Sequence, residues 1–76
     1  MNKIFYYKKF AKYKIELHDF DKAFKYLNKM VILAWDTKQL DYELKAFDLF
    51  GLTYYYIGDI KMADFFHKKM ASGMAE

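Results

Sequence analysis

Residues 47–67 read FDLFGLTYYYIGDIKMADFFH, and this stretch decides how the rest of the chain is read. Phe47, Phe50, Gly51 and Tyr54 recur at intervals of three and four, the spacing that gathers side chains on one face of an α-helix. Gly58 suits the left-handed position that closes such a helix. Asp59 follows it, where a carboxylate can accept backbone N–H bonds and meet the positive end of the next helix dipole. Ala63 and His67 then stand four apart on a second helix. The expectation is a helical hairpin in which Gly51 and Ala63 let two backbones approach closely.

Moving outward, the same pattern occurs a second time. With the chain shifted by 40 residues, Phe10 falls on Phe50, Asp19 on Asp59, Ala23 on Ala63, Lys29 on Lys69 and Met30 on Met70. Tyr7 falls on Phe47, Ala11 on Gly51, Leu17 on Ile57 and Phe20 on Ile60. Large matches large, small matches small, and the turn matches too. Four helices are therefore expected, over about Lys3–Leu17, Phe20–Thr37, Tyr42–Ile57 and Ile60–Ala71. Asp36 to Asp41 is the polar connection between the pairs, and Ser72 to Glu76 is expected to fray. Tyr7, Phe10, Phe47 and Phe50 should fill the space around the small contact residues.

The composition agrees with this and excludes much else. Seventy-six residues make one domain at most, near the lower limit at which one core supports a fold. A chain that is 55% hydrophobic is not intrinsically disordered. Eight Phe, eight Tyr and one Trp are more than so small an object easily hides, so some must be exposed or covered by something else. There is no cysteine, hence no disulfide and no thiolate metal site. No apolar run approaches the ~18 residues of a membrane span. The first fifteen residues mix Lys3, Lys8, Lys9, Lys12 and Lys14 with aromatics and lack a secretory pattern, which points to an intracellular protein. All basic residues are Lys and the net charge is +3. Without Arg, tight phosphate or base recognition is not expected.

Phe47-x-x-Phe50-Gly51-x-x-Tyr54, Gly58-Asp59 and Ala63-x-x-x-His67 together resemble the tetratricopeptide repeat. The 40-residue spacing resembles its lengthened class, found in polarity and signalling scaffolds. The resemblance runs from Tyr7 to Met70. The first unit departs from it, with Lys14 at an aromatic position and His18 at the glycine. It reads as a weaker, terminal copy.

The resemblance implies an all-α fold, an α-solenoid segment of two antiparallel helix pairs, with units over about residues 3–38 and 42–71 of a single domain spanning 1–76. It further implies a protein–protein scaffold whose groove is lined by the first helix of each pair. Those positions are Phe5, Lys8, Lys12 and Ile15, then Lys45, Asp48, Leu52 and Tyr55. A carboxylate clamp for chaperone tails is not expected, because Lys8 suits it while Lys12, Asp48 and Leu52 do not. Partners would be other protein chains in a large complex, with no cofactor and no small-molecule substrate. Long-repeat proteins in AT-biased organisms such as ciliates suggest a cytoplasmic, cytoskeletal or ciliary setting. Two units fall short of the usual three or so. The chain is thus expected to belong to a longer array or to dock on a partner, and to self-associate or melt broadly when isolated.

Other constellations have plain structural explanations. Asp19 with Asp21 and Asp59 with Asp64 could suggest acid–base chemistry, but capping accounts for residues at helix starts. His18 and His67 lack ligand-spaced neighbours, and no nucleophile or phosphate-loop motif is present, so no enzyme is expected. The Lys-rich first helix offers an alternative, a basic module for nucleic acid or a membrane surface. Against it, Lys14 interrupts the aromatic side and Phe5 the polar side. Tyr54, Tyr55 and Tyr56 cannot share one face. Tyr54 takes the packed position, while Tyr55, Tyr56 and Trp35 are left as candidate partner contacts.

Overall fold

Helix-forming sequence interrupted at regular intervals gives four α-helices in the computed structural model, which describes residues 3–75. They are α1 (Lys3–Glu16), α2 (Phe20–Asp36), α3 (Leu40–Ile57) and α4 (Ile60–Ala75), with no strand among the described residues.

The three connections share one construction. His18, Lys38 and Gly58 each adopt a left-handed backbone, with φ of 58°, 55° and 94°. The next residue in each case, Asp19, Gln39 or Asp59, donates its N–H to the carbonyl five positions back, on Lys14, Ala34 or Tyr54, always at 2.9 Å. This closure satisfies carbonyls the helix would otherwise leave bare. Asp59 then caps α4, its Oδ1 accepting from the Met62 N–H at 3.1 Å, and Asp19 accepts from Lys22 at 3.5 Å. Gln39 makes no such bond; its amide donates to Thr37 Oγ1 at 2.8 Å.

Several boundaries differ from expectation. The middle connection is residues 37–39 rather than 36–41, because Lys38 takes a left-handed position that a Cβ normally disfavours. Leu17 lies just beyond α1. Helix α4 continues past Ala71 and takes in most of the segment expected to fray, while Glu76 lies outside the described residues. The reason is a close approach: a Cβ at Gly73 would run into the Leu44 side chain of α3. That packing holds a weak helix former in the helix.

The turns can be tested directly. Lys38→Gly should stabilise by a net of roughly 0.5–1 kcal/mol, strain relief exceeding the entropy that glycine adds to the unfolded chain. Gly58→Ala should destabilise by more, since 94° lies further from any well an L-residue favours. Thermal melts read both, at about 4–8 °C per kcal/mol for a domain of this size. Equal shifts of one sign would contradict the assignment of strain.

Each helix packs on its successor, and α1 also touches α3. The backbone of α4 comes close to that of α3 alone among the described residues. The Cα extents, 32 × 28 × 14 Å, fit an open, zigzag row of helices at the usual spacing of about 9 Å. The core holds Ile4, Ala11 and Ile15 from α1, Ala23, Leu27, Met30 and Ala34 from α2, and Ala46, Phe47, Leu49 and Phe50 from α3. At Gly51 an added Cβ would stand 2.6 Å from the His67 ring, so the missing side chain makes room for that imidazole. Phe50 lies between Phe24 of α2 and Phe66 of α4, at ring distances of 6.0 and 4.9 Å, and Tyr54 bridges the same two at 4.9 and 5.7 Å.

The two units are not equivalent in their packing. Phe50 is 7% exposed, whereas Phe10, expected to fill the matching space, is 46% exposed. Phe50 has a helix on either side; Phe10 meets only Tyr26 of α2, at 5.3 Å. His67 likewise covers Gly51 yet remains exposed, since none of the described helices packs over it. The ends of the row also differ. The outer side of α4 carries Lys61, Asp64, Lys68 and Ser72, with Lys68 Nζ 2.8 Å from Asp64 Oδ2. That hydrogen bond and the carboxylate charge raise the Lys68 pKa above its ordinary value. The outer side of α1 is apolar: Tyr6, Phe10, Tyr13 and Leu17, spaced four, three and four, are all exposed. They lie opposite Ile4, Ala11 and Ile15, so α1 has two apolar stripes, and its Lys residues fall between them.

Candidate protein-binding face

Helices α1 and α3 run side by side in the same direction. Lys8, in the second turn of α1, stands near Tyr42 in the first turn of α3, with Nζ 5.9 Å from the ring, and further along Ile15 and Glu16 line one cleft with Leu49 and Tyr56. Between the later halves lies a cleft of about 360 Å³, lined by Lys12, Ile15, Glu16, His18, Leu49, Leu52 and Tyr56. Ile15 and Leu49, both buried, form its floor. Leu52, Tyr56 and His18 form walls, and Lys12 and Glu16 stand at the rim. A second depression at the helix starts is lined by Lys8, Asp41, Tyr42 and Lys45. Lys45 also borders a third, on the α4 side, with Asp48, Leu44 and Met70. Its Nζ is 3.7 Å from Asp48 Oδ2. Such an exposed pair adds little stability, but it sets the polarity of the rim.

The residues read from the sequence divide clearly. Lys8, Lys12, Lys45, Asp48, Leu52 and Tyr56 border these depressions. Tyr55 is the next residue round α3 from Tyr56, with the two rings edge to face at 6.3 Å. Tyr54 takes the packed position, leaving Tyr55 and Tyr56 exposed. Ile15 is floor rather than exposed lining. Phe5 sits at the edge, beneath Lys9 Nζ at 4.9 Å. Trp35 is exposed on α2 and is not among the residues that line the cleft.

His18 is the residue the sequence reading missed. It shapes the first turn, and its ring also packs against Phe20 at 5.3 Å and Tyr56 at 5.7 Å, fixing one wall. The sequence marked it only as a bulky residue at a turn position that glycine fills 40 residues later, not as part of a wall. Among the described residues no three His, Asp or Glu side chains gather as a metal would need, and no helix is long and apolar enough to cross a membrane. No family model, curated protein or solved structure matches the chain.

Proposed function

We propose that this chain is a two-unit α-solenoid segment of the tetratricopeptide kind, and that it binds another protein along the α1–α3 face. The observation that carries the reading is a cleft with an apolar floor, Ile15 and Leu49, whose seam carries Lys8, Lys12 and Lys45 interspersed with Glu16, Asp41 and Asp48. A partner segment with one large apolar side chain flanked by polar groups of both signs fits that chemistry. The open helix row, the matched turns and the close approach at Gly51 support the repeat reading. Placement in a cytoplasmic, cytoskeletal or ciliary assembly rests on the repeat resemblance.

Burying one large apolar side chain contributes roughly 1.5–3 kcal/mol, enough to make it an anchor of an interface. Tyr55→Ala, Tyr56→Ala and Trp35→Ala should each keep the helical circular dichroism, because all three are exposed. Recovery of the native partner in co-purification should fall about tenfold or more for the anchors among them. If neither Tyr55→Ala nor Tyr56→Ala selectively weakens association, the α1–α3 face is misplaced, and a loss with Trp35→Ala alone moves the interface to α2. Raising salt from about 50 to 200 mM should change association little; a loss of about a thousandfold would mark a nucleic-acid binder instead.

A further inference from the structure

The apolar stripe on the outer side of α1 lies away from the α1–α3 cleft, at the open end of the row. Its residues, Tyr6, Phe10, Tyr13 and Leu17, are between 40% and 56% exposed. Their four-three-four spacing is that of a helix–helix seam. We infer that this stripe joins two copies of the chain, α1 packing antiparallel on α1 about a two-fold axis.

Three observations select that occupant. The first is register. An antiparallel pair centred between residues 11 and 12 sets Tyr6 against Leu17 of the partner copy and Phe10 against Tyr13 of the partner copy. Each contact then occurs twice, as a two-fold interface requires.

The second is charge. Glu16 is the one acidic residue of α1, and it flanks the stripe on the same side as Lys9, the side turned away from α2. Antiparallel pairing places Lys9 near Glu16 of the partner copy, twice over. Parallel pairing would place Lys9 near Lys14 of the partner copy, a like-charge contact.

The third is area. The stripe leaves about half of each large side chain uncovered, roughly 100 Å² apiece and ~400 Å² per copy. That is the size of the largest apolar patch on a typical monomer, often a functional one, here on a surface of only 5251 Å². Two such patches with flanking Lys9, Glu16 and Phe5 reach about 1,000 Å², the lower bound for a specific interface. A two-fold contact uses the same stripe on both copies and so closes at two.

The remaining lysines of α1 repel across the axis, so added salt strengthens the dimer, the opposite of its effect on nucleic-acid binding. Sedimentation of the 76-residue chain from about 1 µM to 1 mM should show a monomer–dimer equilibrium in the micromolar range. Tyr13→Glu should leave the circular dichroism unchanged and abolish the dimer. Glu16→Lys should weaken it about tenfold, and Lys9→Glu combined with Glu16→Lys should restore it. The chain has no cysteine, so a mixture of Lys9→Cys and Glu16→Cys chains reports the register: oxidation should join position 9 to position 16 in preference to 9 to 9. Tyr56→Ala should leave the dimer intact. A chain monomeric throughout this range, a dimer indifferent to Tyr13→Glu, or a preference for 9-to-9 cross-links overturns the inference.

Discussion

Phe50→Ala is expected to cost about 3–5 kcal/mol, the usual range for emptying a buried aromatic site. A domain of this size holds on the order of 5 kcal/mol in total, so the variant should be largely unfolded at 37 °C. The cost is high because Phe50 packs against both Phe24 and Phe66, and its loss loosens α2 and α4 together. Phe10→Ala, the same change at the position 40 residues earlier, should cost only about 1 kcal/mol in dilute protein. Phe10 is half exposed and meets Tyr26 alone of the α2 rings. Urea titration of the two variants side by side is the measurement. Equal losses would mean that the two units are packed alike, against the asymmetry described here.

Gly51→Leu should be nearly as damaging, by overpacking rather than by a void. Even a Cβ at this position would stand 2.6 Å from His67, and leucine adds three further carbons between α3 and α4. Overpacking of this kind costs about 1–3 kcal/mol, and the larger leucine side chain sets this variant toward the upper end. Gly51→Ala separates the terms. Alanine gains up to about 1 kcal/mol of helix propensity, while the exposed His67 ring must swing aside, so the net change should be small. In a His67→Ala background the clash is gone, and Gly51→Ala should then stabilise by roughly 1 kcal/mol. If Gly51→Ala is as harmful there as in the parent, backbone contact rather than the imidazole sets the helix separation.

Helix content and the small residues at the crossings were legible because they follow from spacing alone. Ala11, Ala23 and Ala63 are buried where the 40-residue match put them. The turn at Lys38 was not legible, since its left-handed backbone comes from the carbonyl closure onto Ala34 and not from a residue that prefers it. The continuation of α4 through Gly73 was hidden for a similar reason: the space beside Leu44 is a tertiary fact. On the candidate face, Lys45 and Leu52 could be placed by counting round α3, whereas the count gave Tyr55 as lining and the cleft is lined by its neighbour Tyr56. The wall supplied by His18 could not be placed by counting, because it depends on how a turn of the first unit meets a helix of the second. The exposure of Phe10 escaped the reading for want of a neighbour, since a repeat match equates two positions without saying which has a helix on both sides.

The three like turns at His18, Lys38 and Gly58 impose a parity rule on how this chain can change length. Each turn reverses the direction of the chain and passes it to the other side of the zigzag. Inserting a helix pair of about 40 residues with the same turns would restore both direction and side. Every later helix would keep its orientation, and the α1–α3 face would be extended. Inserting a single helix would invert everything after it and interrupt the face with the back of the row. Gain or loss of helices is therefore compatible with one continuous face only in even numbers, whereas the loops themselves are free to vary.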